Sequence, residues 1–151
     1  MDQTAAALRG RAQDVSVLTS SRGWRPVEAL LRRRGFSGPL TPLPLTLLEL
    51  LSGGYDLAHA FSPLDACPAL TWRRLTGKPV VFSWVQPIDR RELADRRLRL
   101  RMVEGALGSD AIVVPDEETR AAVWRWLAVE PQVIAPGDGE ALERLYRRLL
   151  R

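Results

Sequence analysis

Several polar and aromatic side chains lie in or just after apolar runs that the sequence marks as strands. A parallel sheet gathers the carboxyl ends of its strands at one edge, and open α/β domains bind their ligands there. The candidates for binding a polar ligand at that edge are His59, Ser62, Asp65, Ser83, Trp84, Gln86 and Asp116. In a second interpretation, either Ser62 or Asp65 is the N-cap of the helix at Leu64 and Asp116 is the N-cap of the next helix, because such side chains accept hydrogen bonds from the free amides of a first turn.

His59 is the only histidine in the chain and lies inside a predicted buried strand. A hydrogen-bonded core histidine is the favoured interpretation over a catalytic one, because no motif pairs it with a serine or a carboxylate. Cys67, the only cysteine, is interpreted as a small core residue near the start of a helix. One histidine and one cysteine exclude a histidine-based zinc site and a disulfide within the chain. No catalytic residue is assigned, and neither a metal nor a cofactor is expected.

Arginine supplies nearly all of the positive charge, since Lys78 is the only lysine and the net charge is +4. We interpret most of this charge as a solvated surface. Four arginines of the predicted helix 89–107 are candidates for contacting an anionic membrane or a partner protein: Arg90, Arg91, Arg97 and Arg101. Nucleic-acid binding is not expected, because no helix-turn-helix or RNA-binding aromatic pattern is present.

The 151 residues suit one globular domain, with 46% hydrophobic and 26% charged residues. The N-terminus lacks the apolar segment of a signal peptide. No apolar run reaches the ~18–20 residues that span a bilayer. A cytoplasmic location is therefore expected, with peripheral membrane contact as the alternative.

Hydrophobic periodicity predicts alternating strands and helices, and hence a three-layer α/β domain with a mostly parallel sheet. The pair of strands at 55–61 and 78–85, joined by a helix at 64–75, predicts a parallel crossover. The other predicted strands are 14–19, 110–115 and 132–135. The other predicted helices are 3–11, 25–34, 45–51, 89–107, 116–128 and 140–151, and residues 37–45 are predicted to be extended or a loop. Two helices have predicted inward stripes: Leu93, Leu100, Val103 and Leu107, then Val123, Trp124 and Leu127.

Five segments, in this order, resemble the N-terminal domain of family-4 retaining glycosyltransferases. They are QTAAALRGRAQDVSVLTS, GGYDLAHAFSPLDACPAL, RRLTGKPVVFSWVQP, GSDAIVVPDEETRAAV and PQVIAPGDG. Family members typically show "VHAH", "PVVFTxHG", "AVVAVS" and "VIPNGVD" at these places. The resemblance implies one Rossmann-like half of a GT-B fold over residues 1–151. In that fold the N-terminal domain holds the acceptor, and a second domain holds the nucleotide sugar.

This sequence departs from the family pattern at several positions. Phe61 replaces the second histidine of "VHAH", and Val85 replaces the histidine of "PVVFTxHG". Asp116 replaces the serine of "AVVAVS". The Gly-rich loop expected before helix 3–11 and the donor domain with its paired glutamates have no counterpart. Helix 140–151 resembles the family's closing helix, which packs on the N-terminal domain.

These departures predict a stand-alone glycosyltransferase-like domain with a binding or accessory role and no transferase activity of its own. One alternative is the acceptor half of a nucleotide-sugar-dependent hexosyltransferase. It would be completed by a separate donor-domain protein or by a homodimer. The other alternative is a peripheral membrane or interaction module that uses the arginine-rich helix.

Overall fold

The computed structural model describes residues 43–84 and 96–151. These residues form helices α1 Leu43–Ser52, α2 Pro63–Thr76, α3 Arg96–Gly108, α4 Glu117–Leu127 and α5 Gly139–Leu149. The strands are β1 Ala58–Ala60, β2 Val80–Ser83, β3 Ala111–Val114 and β4 Gln132–Val133. The predicted elements at 3–11, 14–19 and 25–34 lie outside the described residues, as do Val85, Gln86, Arg90 and Arg91.

The four strands form one sheet in the order β1-β2-β3-β4, and every neighbouring pair is parallel. His59 of β1 lies opposite Val81 of β2, and Ser83 of β2 lies opposite Val113 of β3. Each pair of strands is joined by a crossover helix, as parallel strands require. The structure confirms the predicted α/β fold with a Rossmann-like three-layer arrangement.

Alternating residues of the strands pack against helices on both faces of the sheet. The first face is covered by α1 to α4, and its core contains Ala58, Ala60, Val80, Phe82, Ile112, Val114, Leu50, Ala66, Trp72, Met102, Ala106 and Val123. The second face is covered by α5, with Val81, Val113, Leu142 and Leu145 buried and Tyr146 beside them. His59 and Ser83 belong to this second face by the same alternation.

Asp110 holds the amino ends of β2 and β3 together and ties them to α2. Its carboxylate accepts two hydrogen bonds from Arg73, at 2.7 and 2.6 Å, and one from the Val80 amide at 2.9 Å. The Asp110 amide in turn donates to the Val80 carbonyl at 2.8 Å. The hydrogen bond from Arg73 is the largest cause that lowers the pKa of Asp110.

Helix α3 lies close to α2 because two glycines face it. A Cβ atom added at Gly105 would lie 3.1 Å from the Ala66 Cβ, and one at Gly108 would lie 3.0 Å from the Leu70 side chain. The buried side of α3 therefore carries Gly105 together with Met102 and Ala106.

Three predictions about local structure were wrong. Helix α1 begins at Leu43, within the segment predicted to be extended, because Pro44 is tolerated in a first helical turn. The predicted inward stripe of α3 is exposed at Leu100 and Leu107 (53% and 59%), since small residues on its other side allow closer packing. Trp124 is 55% exposed, because Thr119 and Val123 form the buried side of α4.

Candidate functional site

A small pocket lies at the carboxyl edge of the sheet, where the second face meets the start of α5. Its volume is about 100 Å³. It is lined by His59, Phe61, Ser83, Trp84, Val113, Val114, Pro115, Ile134, Ala135, Pro136, Gly137, Asp138, Gly139 and Leu142. Drug-sized ligands usually occupy about 300–1,000 Å³. This pocket therefore fits only one end of a polar ligand.

Each strand supplies its lining residues at or beyond its carboxyl end, and a tight turn closes the pocket after β4. The turn places Gly137 at a φ of +88°, a conformation that residues with a Cβ rarely adopt. Asp138 caps α5, since its Oδ1 accepts a hydrogen bond from the Ala141 amide at 3.0 Å. The first residues of α5 consequently form one wall of the pocket.

Both ring nitrogens of His59 are hydrogen-bonded. Nε2 lies 2.7 Å from Ser83 Oγ, and Nδ1 lies 2.5 Å from the Tyr146 hydroxyl. A neutral imidazole offers one donor and one acceptor, and both hydroxyls can take either role. The chain of hydrogen bonds from β2 through β1 to α5 is therefore satisfied in either tautomer.

Burial determines the protonation states of His59 and Tyr146. Desolvation lowers the pKa of His59 from 6.5 to about 3. It also raises the pKa of Tyr146 well above its usual value of 10.0. Low-polarity surroundings disfavour the charged form of both side chains. At neutral pH the pair is an uncharged imidazole and an uncharged phenol.

The distance between Ser83 and His59 is that of a nucleophile and its base, with Tyr146 in the place of an orienting group. A general base must hold the proton that it removes, and its pKa is best placed near the working pH. Burial opposes an imidazolium at His59, and an uncharged Tyr146 adds no negative charge to stabilise one. The arrangement is thus suited to hydrogen bonding of a ligand hydroxyl, and poorly suited to removing its proton.

Aromatic rings give the pocket an apolar side. The Phe61 ring stacks on the His59 imidazole, with centroids 4.1 Å apart and planes at 24°. Trp84 lines the pocket but is only 4% exposed, and its ring meets Phe82 edge-on at 6.1 Å. Phe61 is therefore better placed than Trp84 to contact the carbon skeleton of a ligand.

The structure brings three of the predicted site residues, His59, Ser83 and Trp84, together in the pocket. Their role in ligand binding stays a prediction. No sequence motif pairs His59 with a serine, yet the structure places Ser83 beside it as a hydrogen-bond partner. The pairing joins residues on two different strands, so no local motif encodes it.

Three other candidates lie outside the pocket lining: Ser62 and Asp116 cap helices, and Asp65 is the partner of the Ser62 cap in the first turn of α2. The Ser62 hydroxyl accepts a hydrogen bond from the Asp65 amide at 3.1 Å and donates to the Asp65 carboxylate at 2.7 Å. Burial raises the pKa of Asp65, and the hydrogen bond from Ser62 opposes that rise. Asp116 accepts a hydrogen bond from the Thr119 amide at 2.7 Å, and this bond lowers the pKa of Asp116. The N-cap interpretation is confirmed for Ser62 and Asp116.

Sequence reasoning missed Tyr146 and Asp138 as site residues. It treated Phe61 only as the position at which the family's second histidine is replaced. Tyr146 was expected on the inward face of the closing helix, and a buried hydroxyl there needs a hydrogen-bond partner. The single histidine in a buried strand needs partners too. The need of the Tyr146 hydroxyl and the His59 imidazole for hydrogen-bond partners was the signal that could have predicted their contact.

Arg101, one of the arginine candidates, does not line the pocket. Arg97 and Arg101 lie in α3, and Arg101 is half-buried. Burial raises the pKa of the Cys67 thiol, and the charge of Arg101 opposes the rise. Cys67 is only partly buried.

Residues 43–84 and 96–151 hold no group of three or more histidine, cysteine, aspartate or glutamate side chains placed to bind a metal ion. Among the helices of the same ranges, none has both the length and the apolar character needed to cross a bilayer.

Comparison with known proteins gives one match. A family model described as Glycosyltransferase Family 4 matches residues 1–137. The match therefore includes all four strands and ends just before the residues that cap and form α5. No curated protein and no solved structure matches the chain.

Proposed function

The chain belongs to glycosyltransferase family 4, and on that premise we propose that it binds a hydroxyl-bearing acceptor at the carboxyl edge of its sheet without transferring a sugar by itself. Ser83, His59 and Phe61 would contact one end of the acceptor, the first two by hydrogen bonds and the third by its ring. The rest of the acceptor would lie outside the pocket, since the volume of about 100 Å³ holds only a small group.

One observation carries the proposal: the histidine in the pocket has both nitrogens engaged and a pKa lowered to about 3. Such a group supports recognition, because its hydrogen bonds can be exchanged with a ligand hydroxyl, but it cannot serve as a base near neutral pH. Sugar transfer also requires donor and acceptor to be held together, and positioning supplies a large part of the rate. The described residues form one sheet with a small pocket at its carboxyl edge.

Calorimetry and NMR test the two halves of the proposal. We expect nucleotide sugars to give neither binding heat nor hydrolysis with the purified 151-residue chain. Glucose, glycerol and myo-inositol serve as acceptor probes, and at least one should shift the imidazole resonances of His59, the only histidine. Micromolar binding of a nucleotide sugar, or its hydrolysis, contradicts the lack of transferase activity. A lack of response to all three polyols contradicts the binding role.

A matched pair of variants locates the binding. Ser83→Ala removes a hydroxyl that is in the pocket lining, whereas Ser109→Ala removes one that bonds to the Ala106 carbonyl in α3. We expect Ser83→Ala to weaken polyol binding by about tenfold, the effect of one lost hydrogen bond of about 1–1.5 kcal/mol. Ser109→Ala should leave the affinity unchanged. Equal effects of the two substitutions would place the polyol elsewhere.

A second candidate is the acceptor half of an enzyme that a separate donor-domain chain completes. The small pocket, open at the sheet edge, supports this candidate because a second wall is what would enlarge it. Affinity capture with the intact chain should then recover one partner with a nucleotide-sugar-binding domain, and the mixture should transfer sugar. A mixture that binds both substrates but shows no transfer would argue against this candidate.

A third candidate is attachment to an anionic membrane through α3. Arg96, Leu100 and Leu107 are exposed and share one side of the helix by their spacing. Such a side could bury leucines among lipid chains and hold arginine at the headgroups. Vesicles of phosphatidylglycerol, but not phosphatidylcholine, should co-sediment the protein, and Leu100→Ser should weaken this. Leu75→Ser, at a leucine of α2 that is 65% exposed, is the control.

A further inference from the structure

We propose that the outer face of α4 is a self-association surface, on which a second copy of this chain packs with its α4 antiparallel to the first. The α4 outer face consists of Glu117, Ala121, Trp124 and Arg125, whose spacings of four, seven and eight residues place them on one side of the helix. All four are exposed. The opposite side of α4 holds the buried Thr119 and Val123.

Trp124 gives this face its apolar area. It is 55% exposed, although tryptophan is among the residues that contribute most to interfaces when they are buried. Ala121, one turn before it, is the smallest side chain of the face. A small residue at the centre of a helix lets a facing helix approach closely, so the two Ala121 side chains can meet at the centre of the pair with one Trp124 ring on each side of them.

The charges of the face select a second copy and fix its direction. Glu117 lies at the amino end of α4, where it also pairs with Arg120 of its own helix at 3.3 Å, and Arg125 lies near the carboxyl end. A twofold axis at Ala121 brings Glu117 of each copy next to Arg125 of the other. The same ion pair therefore forms twice, as an isologous interface requires. Parallel packing would instead place like charges together.

The proposed dimer leaves both pockets free. Pro115, which lines the pocket, directly precedes the Asp116 cap of α4. An antiparallel pair of α4 helices therefore places the two pockets at opposite ends of the dimer. This surface is distinct from a homodimer in which two copies complete one cleft.

The association should be weak. At 1.5 Å per residue, α4 is about 16 Å long. Stable interfaces usually bury about 1,200 Å² or more in total, and a contact centred on one such helix buries less. We therefore expect sedimentation velocity to show monomers at low micromolar concentration and dimers as the concentration approaches about 1 mM, the range of weak affinities.

Charge reversal provides the decisive test. Glu117→Arg and Arg125→Glu each place two pairs of like charges across the interface, and each should weaken self-association by at least about tenfold. A mixture of the two variants restores both attractions, since one chain then carries both acidic groups and the other both basic groups. The mixture should therefore dimerise as well as the unmodified chain does.

Two tryptophan substitutions separate the outer face from the rest of α4. Trp124→Ala should abolish dimerisation. Trp126→Ala removes a ring that is 54% exposed on a different side of the helix and should leave dimerisation unchanged. Circular dichroism should show that every variant is folded. If a charge variant unfolds, the effect of Trp124→Ala on dimerisation decides whether the proposal holds. A chain that stays monomeric up to about 1 mM, or a charge-variant mixture that stays monomeric although both variants fold, overturns the proposal.

Discussion

His59 shows how its surroundings determine what a side chain can do. The sequence predicted a histidine in a buried strand, and the structure confirms a hydrogen-bonded residue. The identities of its partners could not be read from the sequence. Ser83 lies 24 residues away and comes beside His59 through the pairing of β1 with β2, whereas Tyr146 lies 87 residues away and is brought to His59 by the packing of α5 on the sheet.

The lowered pKa of His59 predicts a loss of stability in mild acid. Its pKa is about 3 in the folded chain and 6.5 when exposed, so the unfolded state binds the proton more tightly. The free energy of unfolding should have its highest value above pH 6.5. Below that pH it should fall by up to about 1.4 kcal/mol per pH unit. Urea titrations between pH 7 and pH 4 measure this fall.

His59→Gln is the matched control, because glutamine keeps hydrogen-bonding capacity and does not titrate. Its stability should depend less on pH in the same range, because the unfolded state then lacks the imidazole that takes up a proton near pH 6.5. Imidazole NMR of the folded chain should show no titration above pH 5. A midpoint near 6.5 in the folded state would contradict the assigned burial.

Replacing Tyr146 by phenylalanine tests the hydrogen bond between α5 and β1. The substitution leaves one nitrogen of His59 without its partner, and an unsatisfied buried polar group costs about 1–3 kcal/mol. The free energy of unfolding should fall by that amount in urea titrations. Tyr55→Phe, at the other tyrosine of the chain, should change it by less than about 0.5 kcal/mol, the usual range away from such features.

At the scale of elements, apolar runs and helix caps were sufficient to predict the order and type of the helices and strands that the structure describes. The helix starts at Ser62 and Asp116 follow from the capping chemistry of serine and aspartate. The inward sides of α3 and α4 were harder, because both helices have apolar residues on more than one side. Leu100 and Trp124 are exposed, because Gly105 of α3 and Val123 of α4 make the close contacts with the core in their place.

The interactions of Asp110 should stabilise the junction of α2, β2 and β3. Asp110→Asn removes a charged pair with Arg73, whose side chain is 40% exposed, and weakens the bond to the Val80 amide. We expect a loss of about 1–2 kcal/mol in the free energy of unfolding, since hydrogen bonds to charged groups are the stronger ones and exposure reduces the ionic part. Chemical denaturation at pH 7 measures it.

Asp56→Asn is the control for that substitution. Asp56 also pairs with a cation, Lys78 at 3.3 Å, but its side chain is 79% exposed. Exposed pairs contribute about 0–1 kcal/mol. The lowered pKa of Asp110 means that its contribution is present above pH 3.8 and lost as the pH falls further. Equal losses for Asp56→Asn and Asp110→Asn would show that the burial of Asp110 adds nothing.

At the scale of the whole molecule, the sequence predicted the α/β class and the glycosyltransferase family, because both depend on patterns spread over many segments. The pocket was predicted only as a sheet edge. Its turn and its α5 wall depend on how Gly137 and Asp138 direct the chain after β4. Local patterns carry no information on that direction.

Helix α5 should be required for cooperative folding. Removing residues 138–151 would uncover Val81 and Val113, which are buried under Leu142 and Leu145. Exposed apolar area costs about 25 cal/mol per Å². We expect the shortened chain to bind a hydrophobic dye and to lose its sharp unfolding transition. Removing only Leu150 and Arg151, both exposed, should preserve that transition. A cooperative unfolding transition in the chain that lacks residues 138–151 would contradict the prediction.

The long separation between His59 and Tyr146 has a consequence for the order of folding. Closing 87 residues costs about 1 kcal/mol more chain entropy than closing the 24 residues between His59 and Ser83. The pairing of β1 with β2 should thus precede the docking of α5. In stopped-flow experiments Tyr146→Phe should speed unfolding and leave the folding rate nearly unchanged, as contacts that form after the transition state do.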